Sequence, residues 1–320
     1  MKRGFIRNSA IVLLLVMLTA CAGPESTPPS RETKTTFPAT DVQTGTDSKS
    51  QPDNALTVSS YTDENARARE FSTDSEYGVF IGVEYDGLPS DVSYDVLVID
   101  AQYYTSEELD QLHKTNKEIY SYLNVGSLED FRPYYDQFKD ITLSPYENWD
   151  GEYWIDVSKE EWQKYIAQQI APTLARGGVD GFFIDNADIY YMYPTDEIYD
   201  GLTTILTTIK KLNRKIIING GNDYVTRYLE ENGTLTPVLD GVNQESVFTS
   251  INWDEGTFTE SAAEDREYFL DYLSHVAADG KAVYVLEYTK DEALAKMAKS
   301  KCHELGYKVY VSKNLELNGE

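Results

Sequence analysis

The 320-residue sequence is short of cysteine and of basic side chains. Its two cysteines, Cys21 and Cys302, are too few for a disulfide framework or a thiolate zinc site. Only 28 basic side chains accompany 54 acidic ones, which gives a net charge of −26. Because nucleic-acid-binding proteins hold phosphates with clustered lysine and arginine, this balance argues against a nucleic-acid partner.

Histidine is equally scarce. His113, His275 and His303 all fall within stretches that are predicted below to be outer helices, so neither a Ser-His-Asp triad nor a histidine-ligated metal has an obvious source. Cys302 precedes His303, but adjacent helix positions do not face each other, and Cys302 is interpreted as a buried small hydrophobic residue. No cofactor is expected.

The first twenty residues have the organisation of a secretory signal. Basic residues lie near the start, an apolar run covers 10–17, and LTAC follows at 18–21. The apolar run is too short for a membrane span, which needs about 20 residues. LTAC followed by Ala22 and Gly23 resembles the bacterial lipoprotein box. This resemblance implies that 1–20 is a signal peptide, that Cys21 is lipidated, and that the protein is anchored on the extracellular face of a bacterial membrane.

Residues 21–76 are rich in Ser, Thr, Pro, Asp and Gln and show no apolar periodicity. Such a segment cannot bury enough surface to offset its ordering entropy, so it is predicted to be a disordered tether. Residues 1–76 contain 10 acidic and 8 basic side chains, which leaves 44 acidic and 20 basic ones, a net charge of −24, in 77–320. The acidity therefore belongs to the predicted folded domain, where it serves solubility or attracts a cationic ligand.

Short β-branched and aromatic runs recur along 77–320, separated by amphipathic stretches. Eight strands are predicted, over 77–82, 95–100, 118–126, 181–186, 215–220, 241–246, 282–289 and 308–314. The predicted helices cover 106–114, 160–178, 200–213, 262–280 and 291–306, with Ser106, Asp200 and Asp291 as N-caps. This alternation predicts an α/β fold, a single (β/α)8 TIM barrel, with a doubly wound open sheet as the main rival.

Polar residues end the predicted strands, where barrel enzymes carry their catalytic groups. They are Asp100, Asn124, Asp185 with Asn186, Asn219, Asn243 with Glu245, and Glu287 with Tyr288. Converging carboxyls are what glycosidic bond cleavage requires, since one protonates the leaving oxygen and another attacks or stabilises the anomeric centre. From the residues alone, Mg²⁺ binding and structural ion pairing stay open as alternatives.

Five segments resemble motifs of glycoside hydrolase family 114. They are YLNVGSLEDFRPYY at 122–135, GGVDGFFIDNAD at 177–188, IIING at 216–220, VNQESVF at 242–248 and VLEYT at 285–289. The resemblance runs from about 77 to 314 and implies an endo-α-1,4-polygalactosaminidase acting on amino-sugar polysaccharide. It implies Asp185 and Glu245 as the catalytic pair. For an α-linked substrate we assign Asp185 as nucleophile and Glu245 as general acid and base, and a carboxyl separation of about 5 Å would indicate a retaining scheme whereas about 6.5–9.5 Å would indicate inversion. The sugar subsite is then expected to be lined by Asp100, Tyr122, Asn124, Asn186, Asn219 and Tyr288.

The aromatic stretch 131–157 has two interpretations, a sugar-stacking rim or packing against the outer wall of the barrel. The alternative function is that of a surface lipoprotein that binds polysaccharide without cutting it. The protein is expected to be a monomer that contacts the membrane through its N-terminal lipid.

Overall fold

The computed structural model describes residues 76–147 and 149–319. The predicted signal peptide, Cys21 and all of the predicted tether except Glu76 lie outside these residues and stay predictions. In the described part, the strands are β1 Tyr77–Phe80, β2 Val96–Ile99, β3 Glu118–Asn124, β4 Ser127–Glu129, β5 Thr142–Pro145, β6 Glu152–Ile155, β7 Gly181–Asp185, β8 Lys215–Asn219, β9 Gly241–Glu245, β10 Thr249–Asn252, β11 Thr257–Glu260, β12 Ala282–Tyr288 and β13 Lys308–Ser312.

The helices of the same residues alternate with the long strands. They are α1 Ser106–Leu112, α2 Tyr135–Phe138, α3 Glu160–Tyr165, α4 Ala171–Gly177, α5 Ile189–Met192, α6 Asp196–Lys210, α7 Asn222–Asn232, α8 Ala263–Ala278 and α9 Glu292–Leu305. A π-helical turn, Ile166–Ile170, joins α3 to α4. None of the helices described is long and apolar enough to cross a bilayer.

The eight predicted strands form one parallel sheet in the order β1-β2-β3-β7-β8-β9-β12-β13. The last strand lies against the first, which nearly closes the sheet into a barrel. The (β/α)8 prediction is therefore confirmed, and the open doubly wound sheet is wrong.

Alternation along the strands separates two apolar layers. Val98, Tyr120, Phe183 and Leu286 belong to the layer inside the barrel, whereas their strand neighbours pack against the surrounding helices. Cys302 is buried in that outer layer, as predicted. Because side chains alternate along a strand, the polar residues two positions beyond the inner apolar layer point toward the barrel mouth.

Helix ends differ from the predictions in two places. The N-cap of α1 is Thr105, not Ser106, because Thr105 Oγ1 accepts a hydrogen bond from the Glu108 amide while the Glu108 carboxyl accepts one from the Thr105 amide. Asp200 lies inside α6, which begins four residues earlier and is capped by Thr195. Asp291 is confirmed as the N-cap of α9.

Two insertions rise above the carboxyl end of the barrel. The segment between β3 and β7 contains a three-stranded antiparallel sheet in the order β4-β6-β5. The segment between β9 and α8 contains the β10–β11 hairpin. Both insertions follow strands that end in polar residues, so they border the same mouth.

Candidate active site

Asp185, Asn219 and Glu245 converge at the carboxyl end of the barrel as the last residues of β7, β8 and β9. The Nδ2 atom of Asn219 donates to Asp185 Oδ1 at 3.0 Å and to Glu245 Oε1 at 2.8 Å. Because both oxygens contact the same nitrogen at these distances, they lie no more than 5.8 Å apart. The two carboxyls that were predicted from their positions at strand ends are therefore neighbours, and the Asn219 amide bridges them.

The side-chain amide of Asn219 is oriented by hydrogen bonds from residues deeper in the barrel. Asn243 Nδ2 donates to Asn219 Oδ1 at 2.6 Å, and the Tyr77 hydroxyl donates to Asn243 Oδ1 at 3.0 Å. All three side chains are buried. This relay leaves the Asn219 nitrogen facing the carboxyls, and it depends on Tyr77, a residue that strand-end reasoning did not single out.

Burial raises the pKa of both carboxyls, but by different amounts. Loss of solvent raises the pKa of Asp185 to about 6, while hydrogen bonds from Asn219, the Tyr122 side chain and the Asn186 backbone hold it down. Loss of solvent also raises the pKa of Glu245, to about 8, and the charge of Asp185 contributes to that rise. The Tyr288 hydroxyl donates to Glu245 Oε2 at 2.8 Å. Near neutral pH the pair therefore presents one carboxylate and one protonated acid, as glycosidases require.

Asn124 and Asn186 lie in an adjoining cluster around Glu152, which comes from the inserted strand β6. Asn186 Nδ2 is 3.0 Å from Glu152 Oε1 and 3.2 Å from Asn124 Oδ1, and Ser127 Oγ donates to the same Glu152 oxygen. Burial, followed by the charge of Glu129, raises the pKa of Glu152 to about 8. Sequence reasoning missed Glu152, because only the folding of the insertion brings it to the mouth.

Asp100 reaches the mouth but is held in an ion-pair network. Arg132 Nη1 donates to Asp100 Oδ2 at 2.9 Å, and its Nε and Nη2 donate to the two oxygens of Glu129 at 2.6 and 3.0 Å. All three side chains are buried. The Tyr122 hydroxyl lies 3.5 Å from Glu129 Oε1, so this network supports the tyrosine that also contacts Asp185. Glu129 and Arg132 were missed as site residues, although the segment at 122–135 contains both.

The chain turns sharply after each carboxyl of the pair. Asn186 (φ 62°) and Ser246 (φ 55°) have left-handed backbone, which is uncommon for residues other than glycine. Gly126 packs against the first turn so closely that a Cβ atom would lie 1.7 Å from the Asn186 carbonyl oxygen. The second turn is held by Glu287, whose carboxyl accepts from the amides of Phe248 and Thr249 at 2.9 Å each.

The aromatic stretch 131–157 divides between the two interpretations. Tyr134, Tyr146 and Trp154 are buried, and the rings of the last two lie 4.3 Å apart, so this part packs as a core. Trp149 is only half-buried and meets Trp253 of the β10–β11 hairpin edge to face, with ring centroids 6.0 Å apart. That contact joins the two insertions beside the mouth.

The mouth is strongly acidic. Arg132 compensates Asp100 and Glu129, but no ion pair within the described residues involves the remaining carboxyls of the mouth, Glu152, Asp185, Asp188 and Glu245. In the same residues, no group of three or more His, Cys, Asp or Glu side chains is arranged to hold a metal ion. At neutral pH a cationic ligand would therefore meet the unpaired negative charge of Asp185, together with that of Asp188 in the fraction that is ionised, since burial raises the pKa of Asp188 to about 7.

A family model described as glycoside-hydrolase family GH114 matches residues 59–319, most of the chain. The chain belongs to glycoside-hydrolase family GH114. The resemblance inferred from the five segments is therefore confirmed, and the protein is a glycoside hydrolase.

Solved structures similar to this GH114 chain share its fold. The glycoside hydrolase domain of PelA from Pseudomonas aeruginosa is 18% identical with a TM-score of 0.62, covering 76% of this chain and 96% of that domain. Aspergillus fumigatus Ega3, solved in complex with galactosamine, is 15% identical with a TM-score of 0.61, covering 78% of this chain and 98% of that one.

Among curated proteins, MJ1477 of Methanocaldococcus jannaschii, itself uncharacterized, is 25% identical over 236 residues. The alignment covers 66% of this chain and 65% of MJ1477, so the chain spans slightly less than two thirds of that relative.

Proposed function

We propose that this GH114 enzyme is an endo-acting hydrolase of α-1,4-linked, galactosamine-containing polysaccharide that works through Asp185 and Glu245. The observation that carries the proposal is the single Asn219 nitrogen shared by both carboxyls. A pair this close suits the retaining scheme, in which the carboxyls lie about 5 Å apart, better than the inverting one, which needs about 6.5–9.5 Å for a water.

In the first step, Glu245 donates its proton to the leaving glycosidic oxygen while an oxygen of Asp185 forms a bond to the anomeric carbon. In the second step, Glu245, now ionised, takes a proton from water, and the resulting hydroxide displaces Asp185 from the anomeric carbon. The order of the two pKa values, about 6 for Asp185 and about 8 for Glu245, supports these roles. Tyr288 and Asn219 hold Glu245 through both steps.

The substrate assignment rests on charge and on similarity. The folded domain carries a net charge of −24, and the carboxyls at its mouth exceed the ion pairs that compensate them. Free amines of a partly deacetylated galactosamine polymer are cationic and complement that field. The structural similarity to Ega3, whose solved complex contains galactosamine, supports the same substrate class.

The purified full chain should release reducing ends from a partly deacetylated α-1,4-galactosamine polymer. Its kcat/KM should fall as salt rises from about 0.1 M to about 1 M, because the Debye length shrinks from about 10 to about 3 Å. Cleavage of a fully N-acetylated polymer should be nearly insensitive to salt, and kcat at saturation should not change. Equal cleavage of a neutral α-glucan, or binding of the polymer without release of ends, would contradict the proposal.

We also propose that the enzyme acts at the extracellular face of a bacterial membrane, anchored through lipidated Cys21, as a monomer. The Cys21→Ala variant should then leave the membrane fraction, because the lipid chains supply the membrane affinity. Membrane fractionation and immunoblotting of both proteins test this, and unchanged membrane retention of the variant would refute the anchor.

A further inference from the structure

A second polar and aromatic cluster lies beside the catalytic pair, at the N-terminal ends of α7 and α8. Asp188 follows Asp185 by three residues, and its charge contributes to the raised pKa of Glu245. The other members come from the first turn of α7 and the first three turns of α8. The cluster, here called the outer sugar subsite, consists of Asp188, Asn222, Asp223, Tyr268 and Tyr272.

The cluster is built from several fixed contacts. The Gly221 amide donates to Asp188 Oδ1 at 3.0 Å. Gly220 has a φ of 63°, and a Cβ atom there would lie 2.4 Å from Asp188 Oδ2, so glycine is required for this approach. Asn222 Nδ2 donates to the Tyr268 hydroxyl at 2.7 Å. This bond orients the Tyr268 side chain, although 54% of it is exposed to solvent.

In the part of the chain that the structure describes, one hydroxyl in the cluster lacks a hydrogen-bond partner, and the cluster's two carboxyls, which accept from the Gly221 amide and from Asn222 Nδ2, lack a cation. Tyr272 is only 7% exposed, yet its hydroxyl has no hydrogen-bond partner. Tyr272 lies one turn after Tyr268 on α8, and burial, followed by the charge of Asp188, raises the pKa of its hydroxyl well above the usual value. Within the described residues no ion pair involves Asp188 or Asp223. The cluster therefore combines a buried donor that has no hydrogen-bond partner, two carboxyls that pair with no cation of the described chain, and an exposed ring.

We propose that the outer sugar subsite binds the galactosaminyl residue next to the one whose anomeric carbon reacts with Asp185. The ammonium group of that sugar pairs with Asp188 and Asp223, its pyranose ring stacks on Tyr268, and one of its hydroxyls accepts a hydrogen bond from Tyr272. The assignment rests on the proposed galactosaminidase function. The proposal accounts for the three features of the cluster. A sugar face complements the exposed ring, a sugar hydroxyl complements the donor that has no partner, and a free sugar amine complements the two carboxyls.

The test compares variants of the full chain on α-1,4-galactosamine oligosaccharides of defined length. Asp223→Asn should raise KM for the deacetylated series about 5- to 20-fold, the loss expected for a partly exposed charge-assisted contact. Its kcat, and its KM for the N-acetylated series, should stay within about twofold. Tyr268→Ala should raise KM for both series, because it removes stacking, and Tyr272→Phe should raise KM without loss of packing. Glu230→Gln, which removes an exposed charge from the same helix, is the matched control.

A binding measurement separates this inference from the function on which it rests. Calorimetric titration of the deacetylated oligosaccharides into Glu245→Gln, with and without Asp223→Asn, reports occupancy of the subsite without turnover. If the native chain cuts no galactosamine polymer but Asp223→Asn still weakens binding, the proposed hydrolysis fails and the subsite stands. If the native chain cuts the polymer and neither Asp223→Asn nor Tyr268→Ala alters KM or binding, the subsite is refuted.

Discussion

Asn243 determines which end of the Asn219 amide faces the carboxyls of Asp185 and Glu245, because Asn243 Nδ2 donates to Asn219 Oδ1 at 2.6 Å. With its oxygen engaged, Asn219 must present its nitrogen to Asp185 and Glu245. Neither asparagine carries out the chemistry proposed above. Both position the groups that do.

The Asn243→Asp variant should lower kcat about 10- to 100-fold with less than about a threefold change in KM, the range typical of lost orienting contacts. An ionised aspartate cannot donate to Asn219 Oδ1, and a protonated one donates only in a different geometry from the Asn243 amide, so the Asn219 amide is free to turn its oxygen toward the carboxyls. Steady-state kinetics on the galactosamine polymer measure this. Tyr77→Phe, which removes only the outer hydroxyl of the relay, should lose less, and a kcat for Asn243→Asp within twofold of native would disprove the positioning role.

The pH dependence of kcat/KM should be bell-shaped, rising near pH 6 as Asp185 ionises and falling near pH 8 as Glu245 loses its proton. The free amines of the substrate also titrate, so the alkaline limb is assigned on a fully N-acetylated oligosaccharide, which has no titrating amine. With an aryl leaving group that needs no protonation, Glu245→Gln should lose that limb while keeping the acidic one. Retention of the same alkaline limb in this variant would show that Glu245 is not the acid.

Ionisation of Glu245 should cost the fold stability. Its pKa is raised from the ordinary 4.5 to about 8, so its contribution to stability is fully present below about pH 4.5 and is lost as the pH rises through 8. Glu245→Gln should therefore melt about 3–10 °C above the native chain at pH 8.5, and by much less at pH 5. Calorimetric scans across this range test the sign, with the exposed Glu255→Gln as control. If Glu245→Gln were less stable than the native chain at pH 8.5, the buried Glu245 carboxylate would not destabilise the fold and the prediction would be wrong.

The Trp149–Trp253 contact should contribute to binding of long chains. Replacing either residue with alanine should raise KM for the polymer about 3- to 10-fold with little change in kcat, because each ring offers a stacking surface beside the mouth. The double variant should lose less than the two single losses combined, since the rings touch. Leu143→Ala, an exposed apolar residue on β5, is the control, and unchanged KM in both tryptophan variants would leave the contact a purely structural one.

The barrel and its carboxyl pair could be predicted because both depend on local pattern. Runs such as VLVI and GFFID are apolar on both faces, so they indicate strands buried between an inner layer and outer helices. Alternation then carries Asp185 and Glu245 to the same face at strand ends. The helix α7 was missed because its sequence, NDYVTRYLEEN, follows two glycines and has few apolar residues.

The surroundings of the pair could not be predicted from local pattern, because they depend on tertiary pairing. Glu152 is placed by antiparallel pairing of β6 with β4 and β5, and nothing in the sequence fixes that register. Nothing in the sequence distinguishes Arg132 from a surface arginine, but in the structure it is buried and pairs with Asp100 and Glu129. The expectation that Asp100 lines the sugar subsite did not include its ion pair with Arg132, although structural ion pairing of these carboxyls had stayed open from the residues alone.

The left-handed turns at Asn186 and Ser246 separate Asp185 and Glu245 from the loops that follow them. Each carboxyl belongs to a sheet residue whose position is fixed by its neighbouring strands, while the chain leaves the sheet one residue later. The side-chain hydrogen bonds that reach Asp185 and Glu245 come from barrel strands, from Tyr122, Asn219 and Tyr288, so the β10–β11 hairpin can change in length and composition without shifting the two carboxyls. Substrate range in such a barrel can diverge by loop replacement, and a chimera that exchanges the β10–β11 hairpin alone should alter which polymer is cut while keeping the chemistry.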